Sequence, residues 1–231
     1  MSNTIKAPSP RLLSHLFTSL STTPRPWHLR RILRSDNPAE INGELTGSAT
    51  FHALPSPSSP SSSPTDRSCE MVYREEGEMP SGIMGMAGMK WSKKYIWRMN
   101  NIPNNRDQEE EGGPDAQGIS VWFVKIQPGP DEADYLFHEF DFGSRTLTTG
   151  QEQEKGEGED TIEPPTPPLV GESATTVIKA RGNHLCIKDM YRTAYSFRVV
   201  PETGQVLSWA SRHVVKGPKK NQDIVNLYFL D

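Results

Sequence analysis

The eleven residues "RGNHLCIKDMY", 181–191, hold the densest set of reactive side chains in the sequence: His184, Cys186, Asp189 and Tyr191. A thiolate beside an imidazole, with a carboxylate to orient the ring, is the arrangement of a nucleophilic centre. His184, Cys186 and Asp189 are therefore the catalytic candidates. A cysteine in such a place is more often a small buried hydrophobe, so a non-enzymatic role is favoured. His184 and Cys186 together with His138 would also offer three metal ligands. Zinc sites show tighter, repeated Cys/His spacing, and a structural site needs a fourth ligand, so no metal is assigned. One inward imidazole is enough for axial haem ligation, but nothing in the spacing separates such a histidine from one packed in a core. The cofactor is left unknown.

Side chains alternate between the two faces of a strand. His184 and Cys186 share one parity, Asp189 and Tyr191 the other. The four converge only if the chain turns or bulges at Ile187-Lys188. Tyr191 continues into the apolar face of Tyr195 and Phe197, which marks the interior. His138 shares parity with Leu136, Phe140 and Phe142, Glu75 with Met71 and Tyr73, and Arg31 with Trp27 and Leu29. Tyr95 and Trp97 share a face. Several polar groups thus point inward, where each must be paired or cost about 1–3 kcal/mol.

Two readings follow. One is a satisfied network, with Arg31 on Glu75 and with His138 or His184 on Asp189. The other is a cavity that holds a small polar or anionic ligand. Tyr95, Trp97 and Tyr191 would be its walls, and Arg31, Glu75, His138 and His184 its polar contacts. Lys219, in the turn "KGPKK" (216–220), would add an anion contact at the mouth, unless that turn is simply a solvated hairpin.

The elements that must position these residues are short. Runs at 27–33, 43–54, 70–77, 93–99, 119–126, 134–142, 175–189, 190–200, 205–217 and 223–231 alternate with period two or are bounded by turn residues. That pattern, without βαβ alternation, predicts an all-β antiparallel barrel. The apolar spacing of Leu12, Leu13, Leu16, Phe17 and Leu20 predicts one short N-terminal helix. The expected plan is a loose 1–11 followed by a single domain over 12–231. Three segments too polar or proline-rich to order interrupt that domain, at 54–68, 102–118 and 149–172.

The 231 residues carry a net charge of −4, concentrated in these segments: 150–172 holds seven acids and one base. The remaining bases are scattered, which argues against nucleic acid as a partner. The loops offer a third role, as an interaction scaffold for protein partners. The Ser/Thr-Pro steps at Ser56, Ser59, Ser63 and Thr166 within them could take phosphate. Two cysteines, Cys69 and Cys186, give no disulfide framework, and no apolar run approaches a membrane span. A cytoplasmic location is expected. The alternative is mitochondrial, because the first 35 residues contain no acid but several arginines.

The order Trp27-x-Leu29-x-Arg31, Gly43-x-Leu45-x-Gly47-x-Ala49-x-Phe51, Tyr73-x-Glu75-x-Gly77, Tyr95-x-Trp97, Phe137-His138, His184-x-Cys186-x-x-Asp189-x-Tyr191 and Gly217-Pro218-Lys219-Lys220 resembles a known pattern. It is similar to a family of small fungal and bacterial proteins known only as a domain of unknown function, with a lipocalin-like (calycin-like) character. The resemblance implies an antiparallel meander with a tryptophan on its first strand, and it implies no activity. Arg25 stands where the lipocalin first-strand pattern has glycine.

Overall fold

The computed structural model describes residues 7–37, 40–55, 69–79, 88–102, 116–143, 162–171, 174–218 and 220–230. A single helix, α1 (Pro10–Ser21), precedes ten strands: β1 (Trp27–Ser35), β2 (Gly43–Ala53), β3 (Cys69–Glu78), β4 (Lys90–Ile102), β5 (Ala116–Val124), β6 (Ala133–Glu139), β7 (Thr176–Cys186), β8 (Asp189–Val199), β9 (Val206–Lys216) and β10 (Asn221–Phe229). Strands adjacent in sequence pair antiparallel, except β6 and β7, which are the two edges of the sheet, and β1 pairs with β10. The order is therefore a meander that returns on itself. The seam between β6 and β7 is stitched at one point, where Asp141 and Arg181 exchange backbone hydrogen bonds of 2.7 and 2.8 Å. The result is a nearly closed antiparallel barrel, which leaves little free strand edge. Ten strands exceed the eight of lipocalins, and interior width grows with strand number.

Alternation explains the strands. Along β1, Trp27, Leu29 and Arg31 are buried while His28 and Arg30 are exposed. Helix α1 closes one end of the barrel. Ser9 caps it by accepting from the Leu12 backbone N–H at 3.3 Å, with Pro10 in the first turn. The helix thus starts at Pro10, so residues 10 and 11 are not part of a loose N-terminus. Its apolar face, Leu13, Leu16, Phe17 and Leu20, is buried, and the Trp27 indole N–H donates to the Leu20 carbonyl at 3.4 Å. Among the described residues no helix is long and apolar enough to cross a membrane.

Three local details differ from simple alternation. In β8, Thr193 to Val199 are buried on both faces, because residues 162–171 lie across its outside. Arg198 donates to the Pro167 and Pro168 carbonyls at 3.1 and 3.0 Å, and the Ser208 hydroxyl donates to Pro168 at 2.5 Å. This part of the segment that composition places in the third insertion is thus fixed by hydrogen bonds to its carbonyls rather than by apolar burial. The rest of that insertion, like 56–68 and 103–115, lies outside the described residues.

In β6, Val121 opposes His138 but Trp122 opposes Leu136, so Phe137 is an extra residue. This bulge turns both Phe137 and His138 inward and leaves Leu136 outside at 36% exposure. The expectation that Leu136 shares the interior face of His138 is corrected by it.

The third detail is a two-residue turn, Ile187-Lys188, between β7 and β8. It sets His184 opposite Tyr191 and Cys186 opposite Asp189. Residues directly opposed across a hairpin share a face, so the turn brings all four to one side.

Candidate functional site

The half of the barrel away from α1 is not filled. A cavity of about 260 Å³ opens there, just below the roughly 300–1,000 Å³ of small-molecule pockets. Its aromatic lining comes from Tyr95, Trp97, Phe123, Phe137, Tyr195 and Trp209. The Trp209 ring stacks on Tyr228 with centroids 3.5 Å apart, which stiffens that wall.

One wall is polar and fully wired. The Arg31 guanidinium donates through Nη2 to Glu75 Oε1 and through Nε to Asn226 Oδ1, both at 2.7 Å. The Tyr73 hydroxyl donates to Glu75 Oε2 at 2.6 Å and lies 2.8 Å from the Tyr228 hydroxyl. Asn226 continues the chain to the Ser211 hydroxyl at 2.9 Å, and Ser211 meets His213 Nε2 at 3.1 Å. The Arg31 guanidinium also lies over the Trp91 ring, 5.0 Å from its centroid. Gly47 and Gly77 make room for that ring: a Cβ on Gly77 would stand 2.6 Å from it.

Burial pulls the Arg31 pKa down, but the Glu75 carboxylate and neighbouring tyrosines outweigh it, so the net shift is upward and the ion pair persists. Burial, followed by Glu75, pushes the Tyr73 phenol well up and Tyr95 up to about 12. Both stay protonated as donors. The expected Arg31–Glu75 pair is therefore present, and it is satisfied.

Other groups in the cavity are not paired in this way. Lys93 lines it from β4, directly across the ladder from Glu75. Its pKa is lowered, first by burial among protein atoms and then by Arg31, with Glu75 opposing. Its side chain is exposed by area because it runs along the open cavity. Lys220, nearer the mouth, donates to the Tyr191 hydroxyl at 2.6 Å, which raises its pKa. Among the described residues neither lysine forms an ion pair. The His213 imidazole is held neutral, by burial first and then by Lys93.

Of the residues singled out in the sequence, Arg31, Glu75, Tyr95, Trp97, His184, Cys186 and Tyr191 line the cavity. His138 does not. It is 2% exposed and stacks on Phe140, with Nε2 3.0 Å from the Tyr195 hydroxyl. It also presses on Gly182, where a Cβ would fall 2.5 Å from its Nδ1. Burial first, then His184, pulls its pKa down to about 3. It is a neutral core histidine, paired with Tyr195 rather than Asp189. Asp189 is also off the lining; its carboxylate sits over Gly217, where a Cβ would be 2.0 Å from Oδ1. Lys219 lies outside the described residues.

Among the described residues no hydrogen bond joins His184, Cys186 and Asp189, and no cluster of His, Cys, Asp or Glu has metal-holding geometry. Both described cysteines are free. Lys93, Ser211, His213, Asn226 and Lys220 line the cavity as well, beyond the residues singled out in the sequence. Lys93 shares the parity of Tyr95 and Trp97, and His213 that of Trp209, so the signal was there for both. Lys220 sits in a turn, where parity says nothing.

Fold and cavity together define a nearly closed ten-stranded antiparallel barrel with an interior chamber. The chain belongs to the family of unknown function DUF6314, whose sequence profile matches residues 25–161 and 169–229. No curated protein and no solved structure matches the chain.

Proposed function

We propose that this barrel binds one small molecule with an apolar, preferably planar body and an anionic end. The observation that carries this reading is the charge balance of the lining. Glu75 is the one acid among the lining residues, against Arg31, Lys93 and Lys220. Its carboxylate is already engaged by Arg31, Tyr73 and Tyr228. The cationic surplus lies toward the mouth, at Lys220, with aromatic rings deeper in. An anion entering a partly desolvated site beside a fixed ammonium gains a charge-assisted hydrogen bond, while the aromatic walls take the apolar body. His184, Cys186 and Tyr191 then serve as lining rather than as a nucleophilic relay.

Anilinonaphthalene sulfonate and its uncharged parent, phenylnaphthylamine, test this. The sulfonate is expected to bind once per chain. Lys220→Ala should weaken it about tenfold, equivalent to about 1.4 kcal/mol, and barely affect the neutral probe. Cys186→Trp, which narrows the cavity, should weaken both. Indifference of both probes to both substitutions would sink the reading.

A further inference from the structure

We propose that Lys93 captures carbonyl compounds in the cavity, its ε-amine forming a reversible imine with an aldehyde or ketone group of the bound molecule. The inference rests on the binding reading above and adds a chemical class to it: an anionic carbonyl compound, with its charge at Lys220 and its carbonyl at Lys93.

Placement is the first argument. Lys93 and Lys94 are consecutive on β4 and point to opposite faces. Lys94 faces out and is neutralised by Asp131 at 2.7 Å. Lys93 faces the cavity opposite Glu75, the partner a cross-strand lysine would ordinarily take. Both oxygens of that carboxylate are spent elsewhere, Oε1 on Arg31 and Oε2 on Tyr73 and Tyr228. The amine therefore stands beside a carboxylate it does not pair with, among aromatic walls.

Surroundings are the second argument. Crowding by protein atoms disfavours the Lys93 ammonium although its side chain stays open to the cavity, and the nearby Arg31 and Lys220 charges add to that; Glu75 only partly opposes them. A lysine beside other cationic groups is held toward the neutral, nucleophilic amine. The same lining places two neutral hydrogen-bonding groups near the amine, the Tyr95 phenol and the His213 imidazole.

The step balances without an oxidant or reductant. The amine lone pair adds to the carbonyl carbon, the carbonyl π pair moves to oxygen, and proton transfer gives a carbinolamine. Protonation of its hydroxyl and loss of water, with release of the N–H proton, leaves the imine. Water hydrolyses it by the reverse path.

The test uses the full chain with limiting pyridoxal phosphate, and separately pyridoxal, each trapped by cyanoborohydride and mapped by peptide mass spectrometry. Lys93 is expected to be labelled several-fold ahead of Lys94, Lys125 and Lys179, and faster by the phosphate form. Lys93→Arg keeps a cation but cannot form the imine, so the preferred label should be lost; anilinonaphthalene sulfonate binding is measured in parallel on the unsubstituted chain. Labelling of Lys93 no faster than of Lys94 would overturn the inference. If the sulfonate probe still binds in that case, the binding reading survives alone. If neither aldehyde nor sulfonate engages the cavity, both fail.

Discussion

The two halves of the barrel are built by the same strands and filled in opposite ways. At the α1 end Leu16, Leu20, Trp27, Phe197 and Val199 are each completely buried, and the interior is packed with apolar groups. Toward the mouth the same strands carry Lys93, Tyr95, His184, Tyr191 and His213, and a cavity remains. Strand β4 makes the change within one face: Met99 and Trp97 are core, then Tyr95 and Lys93 line the space. The Arg31–Glu75–Tyr73–Tyr228–Asn226 network forms one wall of that cavity. One end of such a barrel can hold the fold while the other keeps a shape that packing alone would have closed. The aromatic layer at Trp97, Trp209 and Tyr195 belongs to both, being core on one side and cavity wall on the other.

Breaking this polar wall should have the largest effect. Glu75→Ala leaves the Arg31 guanidinium buried without its counter-ion and takes the carboxylate acceptor from the Tyr73 and Tyr228 phenols. The expected loss is about 3–5 kcal/mol, read from the urea midpoint. Replacing both partners, Arg31→Met with Glu75→Leu, should recover much of it, since an apolar pair of similar size is often neutral or stabilising. A double variant as unstable as Glu75→Ala would show that the network, rather than the orphaned charge, matters.

Cutting into the packed end comes next. Leu16→Ala removes a fully buried side chain from the face of α1, at a cost of about 2–5 kcal/mol. If the halves are independent, the affinity for anilinonaphthalene sulfonate stays unchanged well below the melting temperature. A parallel loss of affinity would mean that the end cap also shapes the cavity.

A dependence on pH also separates the halves. The folded His138 has a pKa near 3, below the ordinary value of about 6.5. The unfolded chain therefore binds a proton that the folded chain refuses. Stability is fully present above pH 6.5 and falls as pH drops from there toward 3. For this one proton the slope is about 1.4 kcal/mol per pH unit. His213 is held down in the same sense, by burial first and then by Lys93, and adds to the same acid limb. His138→Gln should flatten the acid limb of a urea-midpoint profile; an unchanged limb would assign it to other groups.

Much of this architecture was legible. Each of the ten strands, and the helix, carries its own alternation or apolar spacing, and sequence-local patterns need no tertiary information. The inward polar residues Arg31 and Glu75 were legible for the same reason, as an ionic pair on two otherwise apolar faces. What was not legible depends on partners distant in sequence. The β6 bulge exists because Phe137 has no opposite number in β5, and nothing within "DYLFHEF" states that. His138 looked like a ligand contact because parity reports only the direction of a side chain, not whether space lies beyond it. The fixing of 162–171 depends on Arg198, some thirty residues away.

The smallest effect is expected where the four residues of the 181–191 stretch are brought together. The turn that joins them puts Ile187 at φ 59°, left-handed backbone that a β-branched residue rarely adopts. Two-residue hairpins with positive φ at their first central position favour glycine there. The Ile187 side chain is 91% exposed, so it contributes little packing to set against the strain. Ile187→Gly relieves roughly 1–2 kcal/mol of backbone strain. Part of this is offset because glycine gives the unfolded chain more freedom, by about 0.4–1 kcal/mol. The net expectation is a stabilisation of under about 1 kcal/mol. Ile187→Asn keeps a Cβ in that position and should gain less than glycine. Neither should alter probe binding, because the register that sets His184 opposite Tyr191 and Cys186 opposite Asp189 is kept. If stability rises while affinity for the sulfonate probe falls, the strained turn belongs to the mouth's function, and the division between a packed end and a binding end runs through the hairpin as well as through the interior.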